Sequence, residues 1–201
     1  MIKKIYVTLL IVLFFLPTAS YAAQRTGNVI QLIRGEGIVN TREIGGGKLF
    51  VSSLWDKGGE RPVSNDGSFS ATISGSRPQK ISLNDANGQT RALAITIPEN
   101  AEKIVFDAKS TARAILFQDP AQFKDSRTAE NYFSAMEGKS SFQALVLFFK
   151  EKLALHSLEE LNRDPQCIAL LEKCSSEIFG EDPVAIRHSL QQAKQRLEEL
   201  F

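Results

Sequence analysis

Apolar and polar positions along the chain fall into two regimes with different periods. From Gly27 to Phe106 the apolar residues come in short runs, "NVIQLI", "KLFVSSLW", "SFSATI", "KISL", "RALAITI" and "KIVF", separated by the turn signals "GGG", "DKGG", "NDG", "SGSRP", "DANG" and "PEN". In "SFSATI", Phe69, Ala71 and Ile73 alternate with Ser68, Ser70 and Thr72, the pattern of a strand with one buried and one wet face. Short strands of this kind, spaced about ten residues apart, predict an antiparallel β-sandwich.

At "DAKSTARAILFQDP" the period lengthens. Ser110 or Thr111 is expected to cap a helix that Asp119-Pro120 ends. "SRTAENYFSAMEG" reads as a second helix closing on Gly138. "SSFQALVLFFKEKLALHS" is apolar on nearly every side of its first half and reads as the central, buried helix. Asp164-Pro165 starts another, and "PVAIRHSLQQAKQRLEELF" carries the stripe Ile186, Leu190, Ala193, Leu197 and Leu200, a packing face or a partner-binding face. The fold class expected is α+β: an N-terminal antiparallel β-sandwich over 23–108 followed by a C-terminal α-helical region over 109–201.

The first residues add an address. Lys3 and Lys4 precede the apolar run Ile5 to Leu16, followed by Pro17 and small residues. This is the pattern of a secretory signal peptide, and Ser20-Tyr21-Ala22 offers the small residues needed for cleavage before Ala23. The run is shorter than the roughly 20 residues that cross a bilayer. No cysteine lies near the cut to carry a lipid. The expectation is a signal peptide over 1–22 and a periplasmic or secreted mature chain without membrane insertion.

Loss of Lys3 and Lys4 takes the basic residues from 24 to 22 against 23 acids, a net charge of −1. Such a balance indicates no polyanion partner, and the scattered basic residues do not interleave with aromatics, which argues against nucleic acid.

The stretches "ERPVSNDGSFSATI", "QKISLNDANGQTRALAI" and "KIVFDAKSTARAILF" resemble the carboxypeptidase-regulatory or transthyretin-like β-sandwiches of exported bacterial proteins, over roughly Gly27 to Phe117. The resemblance implies a binding, spacing or folding-assistance module and brings no catalytic residues with it.

Cys167 and Cys174 are the only two cysteines. With Leu171 and Ile178 they recur at helical spacing, on one apolar face. Seven residues of helix rise about 10.5 Å, whereas a disulfide needs Cα atoms within about 7 Å. An oxidising compartment favours a bridge, which then requires the helix to break between Ile168 and Cys174. The alternatives are two buried free thiols or intermolecular pairing. C-x-x-C redox spacing is absent.

The search for catalytic chemistry finds little. His156 and His188 both fall in helical stretches, and the cysteines lack a neighbour that would activate a thiol. No G-x-S-x-G and no phosphate-loop spacing occur, and "DANG" and "SNDG" read as hairpin turns before they read as metal loops. No cofactor or metal is expected. Asp107, Asp119 and Asp125, near the joint of the two halves, are candidates for a carboxylate-dependent hydrolase, although helix caps account for them. Trp55 beside Asp56, at a strand end, is a candidate binding pair at the sandwich rim. The leading expectation is therefore a non-enzymatic accessory protein that binds an envelope or secreted protein or another ligand, with a structural envelope subunit as the alternative.

Overall fold

The computed structural model describes residues 31–54, 56, 59–75, 78–116 and 126–179, and the described residues from Leu32 onward cluster as one compact unit. Among the described residues seven strands form: β1 (Leu32–Val39), β2 (Leu49–Ser52), β3 (Arg61–Pro62), β4 (Ser68–Ser74), β5 (Gln79–Asp85), β6 (Thr90–Thr96) and β7 (Ile104–Phe106). The helices are α1 (Thr41–Ile44), α2 (Ala108–Leu116), α3 (Ser126–Glu137), α4 (Ser140–Lys152), α5 (Leu158–Leu161) and α6 (Pro165–Phe179), with a 3₁₀ segment at Pro98–Lys103. The molecule is thus mixed α+β, with two sheets and a set of helices. The expected signal peptide, the last helix and His188 lie outside the described residues.

The sheets have orders β4-β1-β7 and β3-β2-β5-β6. Pairing is antiparallel except between β1 and β7, which run parallel, with Ile38 opposite Val105. That pair corrects the expectation of a purely antiparallel array. Its cause is the long crossover from β1 through the other strands back to β7, since parallel neighbours cannot be joined by a hairpin.

Alternation decides which residues meet. Phe69, Ala71 and Ile73 from β4, Ile104 and Phe106 from β7, Val51 from β2, Ile81 and Leu83 from β5, and Ala92 and Ala94 from β6 form one buried cluster shared by both sheets. Leu93, on the opposite face of β6, belongs instead to a second cluster with Ala112, Phe142, Leu145, Phe149, Cys167 and Cys174 of the helices. The four-stranded sheet therefore has sheet packing on one side and helix packing on the other, and β6 is buried on both.

β1 is narrow where the sheet core is tight. A Cβ at Gly35 would sit 2.7 Å from Ile104 Cδ1, and one at Gly37 would run into the Ile104 carbonyl oxygen and lie 2.5 Å from Phe69 Cζ. These two inward positions need glycine for space. That is also why "GEGIVN" shows no strand-like apolar alternation.

Two open strand edges are closed by side chains. On β6, the Leu93 N–H donates to Thr111 Oγ1 at 3.3 Å, and the Ser110 hydroxyl reaches the Leu93 carbonyl at 3.3 Å. On β4, the Thr72 N–H donates to Asp56 Oδ1 at 3.2 Å, and the Ser53 hydroxyl donates to the Thr72 carbonyl at 2.5 Å. Buried backbone groups left unpaired are costly. Both plugs also blunt edges that would otherwise recruit another strand.

The helix start at α2 differs from the expectation. Asp107, not Ser110 or Thr111, is the cap: its Oδ1 accepts from Ser110 N at 2.6 Å, while Ser110 Oγ accepts from Asp107 N at 2.9 Å. This reciprocal pair is a capping box with serine in the third position. Ser110 and Thr111 lie inside the first turn, where their hydroxyls bond the Asp107 carbonyl and also reach the β6 edge.

Two predictions follow from this packing. Gly37→Ala should cost about 1–3 kcal/mol in urea unfolding because the backbone neighbours cannot yield, whereas Gly46→Ala, with no atom within 4 Å of the added methyl, should stay within about 0.5 kcal/mol. Thr111→Val should cost about 1–3 kcal/mol by leaving the Leu93 N–H without a partner, while Thr111→Ser, which keeps the hydroxyl, should lose only about 1 kcal/mol.

Candidate functional site

A cleft of about 480 Å³ lies between the β6–β7 connection and helices α2 and α3. Ile95, Ile97, Ile104 and Phe133 supply apolar surface, and Asn100, Lys103, Arg113, Glu130, Ser134 and Glu137 supply polar groups. Its position follows from the fold. Ile95 and Ile97 leave the outer face of β6 as the strand ends, and the 3₁₀ segment carries Asn100 and Lys103 past them. α2 and α3 bring Arg113 and Phe133 across.

Arg113 is the central group. Its guanidinium lies 5.5 Å from the Phe133 ring centroid, within cation–π range, and it pairs with Glu137. Glu137 also takes Lys109 Nζ at 2.7 Å. One carboxylate thus serves two cations. Burial lowers the pKa of Arg113 more than nearby Asp107 raises it, and Lys109 is lowered by burial and then by Arg113 itself. An arginine stays charged regardless. On the opposite rim, Asn100 Nδ2 donates to Glu130 Oε1 at 2.8 Å. The cleft combines an apolar floor with a charged, hydrogen-bonding rim, and volumes of a few hundred cubic ångströms suit small ligands or a few side chains.

The residues singled out from sequence lie elsewhere. The Asp56 side chain is 1% exposed and holds Arg61 Nε at 3.2 Å and the Thr72 N–H. It ties the β2–β3 loop to β4 and does not present itself at a rim. Trp55, Asp119 and Asp125 lie outside the described residues. Asp107 caps α2 as above. His156 is partly exposed, with Nδ1 3.5 Å from Glu160 Oε2, beside a capping box in which Ser157 and Glu160 bond reciprocally. The S-x-x-E spacing of that box was a readable signal for α5. Asp85 and Asp66 accept backbone N–H groups within their turns, from Asn87 and Ser68 respectively. Among the described residues no group of three or more His, Cys, Asp or Glu could hold a metal, and no helix is long and apolar enough to cross a membrane.

Cys167 and Cys174 lie on the buried face of α6, 2% and 0% exposed, and both thiols are free. The break expected between Ile168 and Cys174 is absent, because α6 runs unbroken from Pro165 to Phe179 with Asp164 Oδ1 capping its start at 2.8 Å from Gln166 N. The heptad spacing that puts both thiols on one face also keeps them a full two turns apart. Burial pushes Cys167 up to about 12, reinforced by Asp164 and Cys174, and Tyr132 is likewise pushed up to about 12 by burial. The arrangement disfavours a thiolate nucleophile at neutral pH.

The cleft residues were missed from sequence because they come from three separated segments with no shared motif.

Above the ordinary thiol pKa near 9, the unfolded chain loses the Cys167 proton while the folded chain keeps it, so stability should fall as pH rises from about 9 to about 12, by up to about 1.4 kcal/mol per pH unit. Tyr132 adds to the slope above its ordinary value of 10. Urea unfolding under dithiothreitol at about pH 8 and about pH 10.5 measures it, and Cys167→Ala should reduce it.

No protein-family model, no curated protein and no solved structure matches the chain.

Proposed function

We propose that this chain is an exported, non-enzymatic accessory protein that binds an envelope or secreted protein, and that the cleft around Arg113 is where it binds. The observation that carries the reading is the cleft itself: an isoleucine and phenylalanine floor beneath an arginine held on an aromatic ring. Arginine and aromatic side chains dominate binding hot spots. The groups that would favour catalysis support this reading in a different way, since Asp107 is a helix cap and the thiols are buried and hard to ionise. A structural subunit joined by strand addition draws less support. The β4 and β6 edges are plugged by side chains, and β3 is two residues long and contains Pro62.

For the fold, we read the two sheets as a divergent transthyretin-like sandwich. Support comes from a three-stranded and a four-stranded sheet that share one core. The parallel β1–β7 pair is a departure from the antiparallel pattern.

A photo-crosslinking residue at Ser134, in the cleft, should capture one recurrent protein in intact cells. The same residue at Ser70, on the outer face of β4, should not. Arg113→Glu should weaken that capture about tenfold or more, as expected for loss of a hot-spot group. Equal capture from both positions, or none from Ser134, would overturn the proposal.

A further inference from the structure

The buried cysteine pair has a consequence beyond its packing. Cys167 and Cys174 are two turns apart on an unbroken helix, about 10.5 Å along the axis. A disulfide spans at most about 7 Å between Cα atoms. The folded molecule therefore has no route to a bridge between them, whereas the unfolded chain brings the same two residues together by closing a short loop at small entropic cost. Folding and bridge formation exclude one another.

Loss of α6 would reach well beyond the thiols. Cys167 packs beside Phe149 of α4, Ile115 of α2 and Leu158 and Leu161 of α5, and Cys174 sits against the Ser141 hydroxyl at the start of α4. One turn on, Glu177 Oε2 accepts from Ser141 Oγ at 2.6 Å and Ser141 N at 3.3 Å. α4 has Lys139 at its cap position, with no side-chain cap of its own. The carboxylate of α6 supplies that cap from a distance. A break in α6 between the cysteines would uncover Phe149 and withdraw the anion from the α4 N-terminus together.

We propose that Cys167 and Cys174 are a redox gate on the helical layer: as free thiols they let α6 seat, and as a disulfide they hold it open. The oxidant is a small disulfide such as oxidised glutathione. One cysteine thiolate attacks it, forming a mixed disulfide and releasing one glutathione thiolate. The second cysteine attacks the mixed disulfide and releases the other, so two electrons pass to glutathione and both cysteine protons end on the two glutathione thiols. Both protein thiols are buried, so exchange starts from the opened form and traps it. Reduction reverses the step.

The test uses the full chain in a glutathione redox buffer, with and without urea at the unfolding midpoint, followed by removal of urea. Intact mass and alkylation count the thiols. The native chain should keep two free thiols while the urea-opened chain loses the mass of two hydrogens. The bridged product, refolded without reductant, should lose helix by circular dichroism and be cut within 165–179 about tenfold faster or more than the reduced protein. Dithiothreitol should restore both signals. Cys167→Ala and, separately, Cys174→Ala should fold and ignore glutathione beyond a mixed disulfide. If either variant fails to fold, the wild-type comparison stands without it. A bridged chain with native helicity and protease resistance would overturn the gate. So would native thiols that oxidise as fast as opened ones, or urea-opened chains that form only mixed disulfides.

Discussion

Strand β6 has to serve two hydrophobic cores at once, and the rest of the molecule is arranged around that constraint. Ala92 and Ala94 point into the core between the sheets, Leu93 points into the helices, and Ile95 packs against the helical core from the same side as Leu93. A strand buried on both faces has no wet side from which stray backbone groups can reach water. β6 is nevertheless an edge, hydrogen-bonded to β5 alone. The conflict is resolved by α2, whose Ser110 and Thr111 hydroxyls take the Leu93 carbonyl and N–H. An apolar helix would have met the shape requirement and left those groups stranded, at about 1–3 kcal/mol for an unpaired buried group. The helix that covers the strand therefore carries hydroxyls at the two positions that face it.

The same logic of supplying a missing partner from a distance holds α4. Its first turn is capped by Glu177 of α6, and the carbonyls just past its C-terminus, at Leu153 and Ala154, accept from Arg91 of β6 at 3.0 and 3.2 Å. An anion at the N-terminus and a cation at the C-terminus both suit the helix dipole. Glu43 of α1 adds a third link, accepting the first N–H of α2 at 2.9 Å. None of these is a local cap. The helical layer therefore rests on tertiary hydrogen bonds at its helix ends as well as on its apolar face.

How much of this could be read from sequence follows from the range of each interaction. Strands such as "SFSATI" and helices such as "SSFQALVLFFKEK" are legible because alternation and helical spacing are local. "RALAITI" was legible as a strand, and its apolar residues on both faces reflect the double burial, but which core each face joins is set by segments far along the chain. β1 was obscured by Gly35 and Gly37, where the need for space removed the apolar residues that mark a strand. The cap of α2 was misassigned because Asp107, Ser110 and Thr111 all suit a helix start, and only the β6 edge decides which of them caps. Asp56 was visible as a polar residue at a strand end, yet its partner Thr72 lies across the sheet edge. The cleft was invisible for the strongest reason, since Ile95, Arg113 and Phe133 become neighbours only once three elements have packed.

The division of polar groups between structure and surface bears on function. Asp56, Asp107, Glu177 and Arg91 are each spent on a backbone partner that the fold leaves exposed. Arg113 is different. Its ion pair is with Glu137, which already holds Lys109, and its ring contact with Phe133 leaves it on the wall of a cleft. No strand edge or helix terminus requires it there. A half-buried cation that stabilises no backbone group, next to a second cation competing for the same carboxylate, costs desolvation with little structural return. That asymmetry is the physical argument behind the binding role proposed for the cleft, and it contrasts with the structural roles of Asp56 and Asp107.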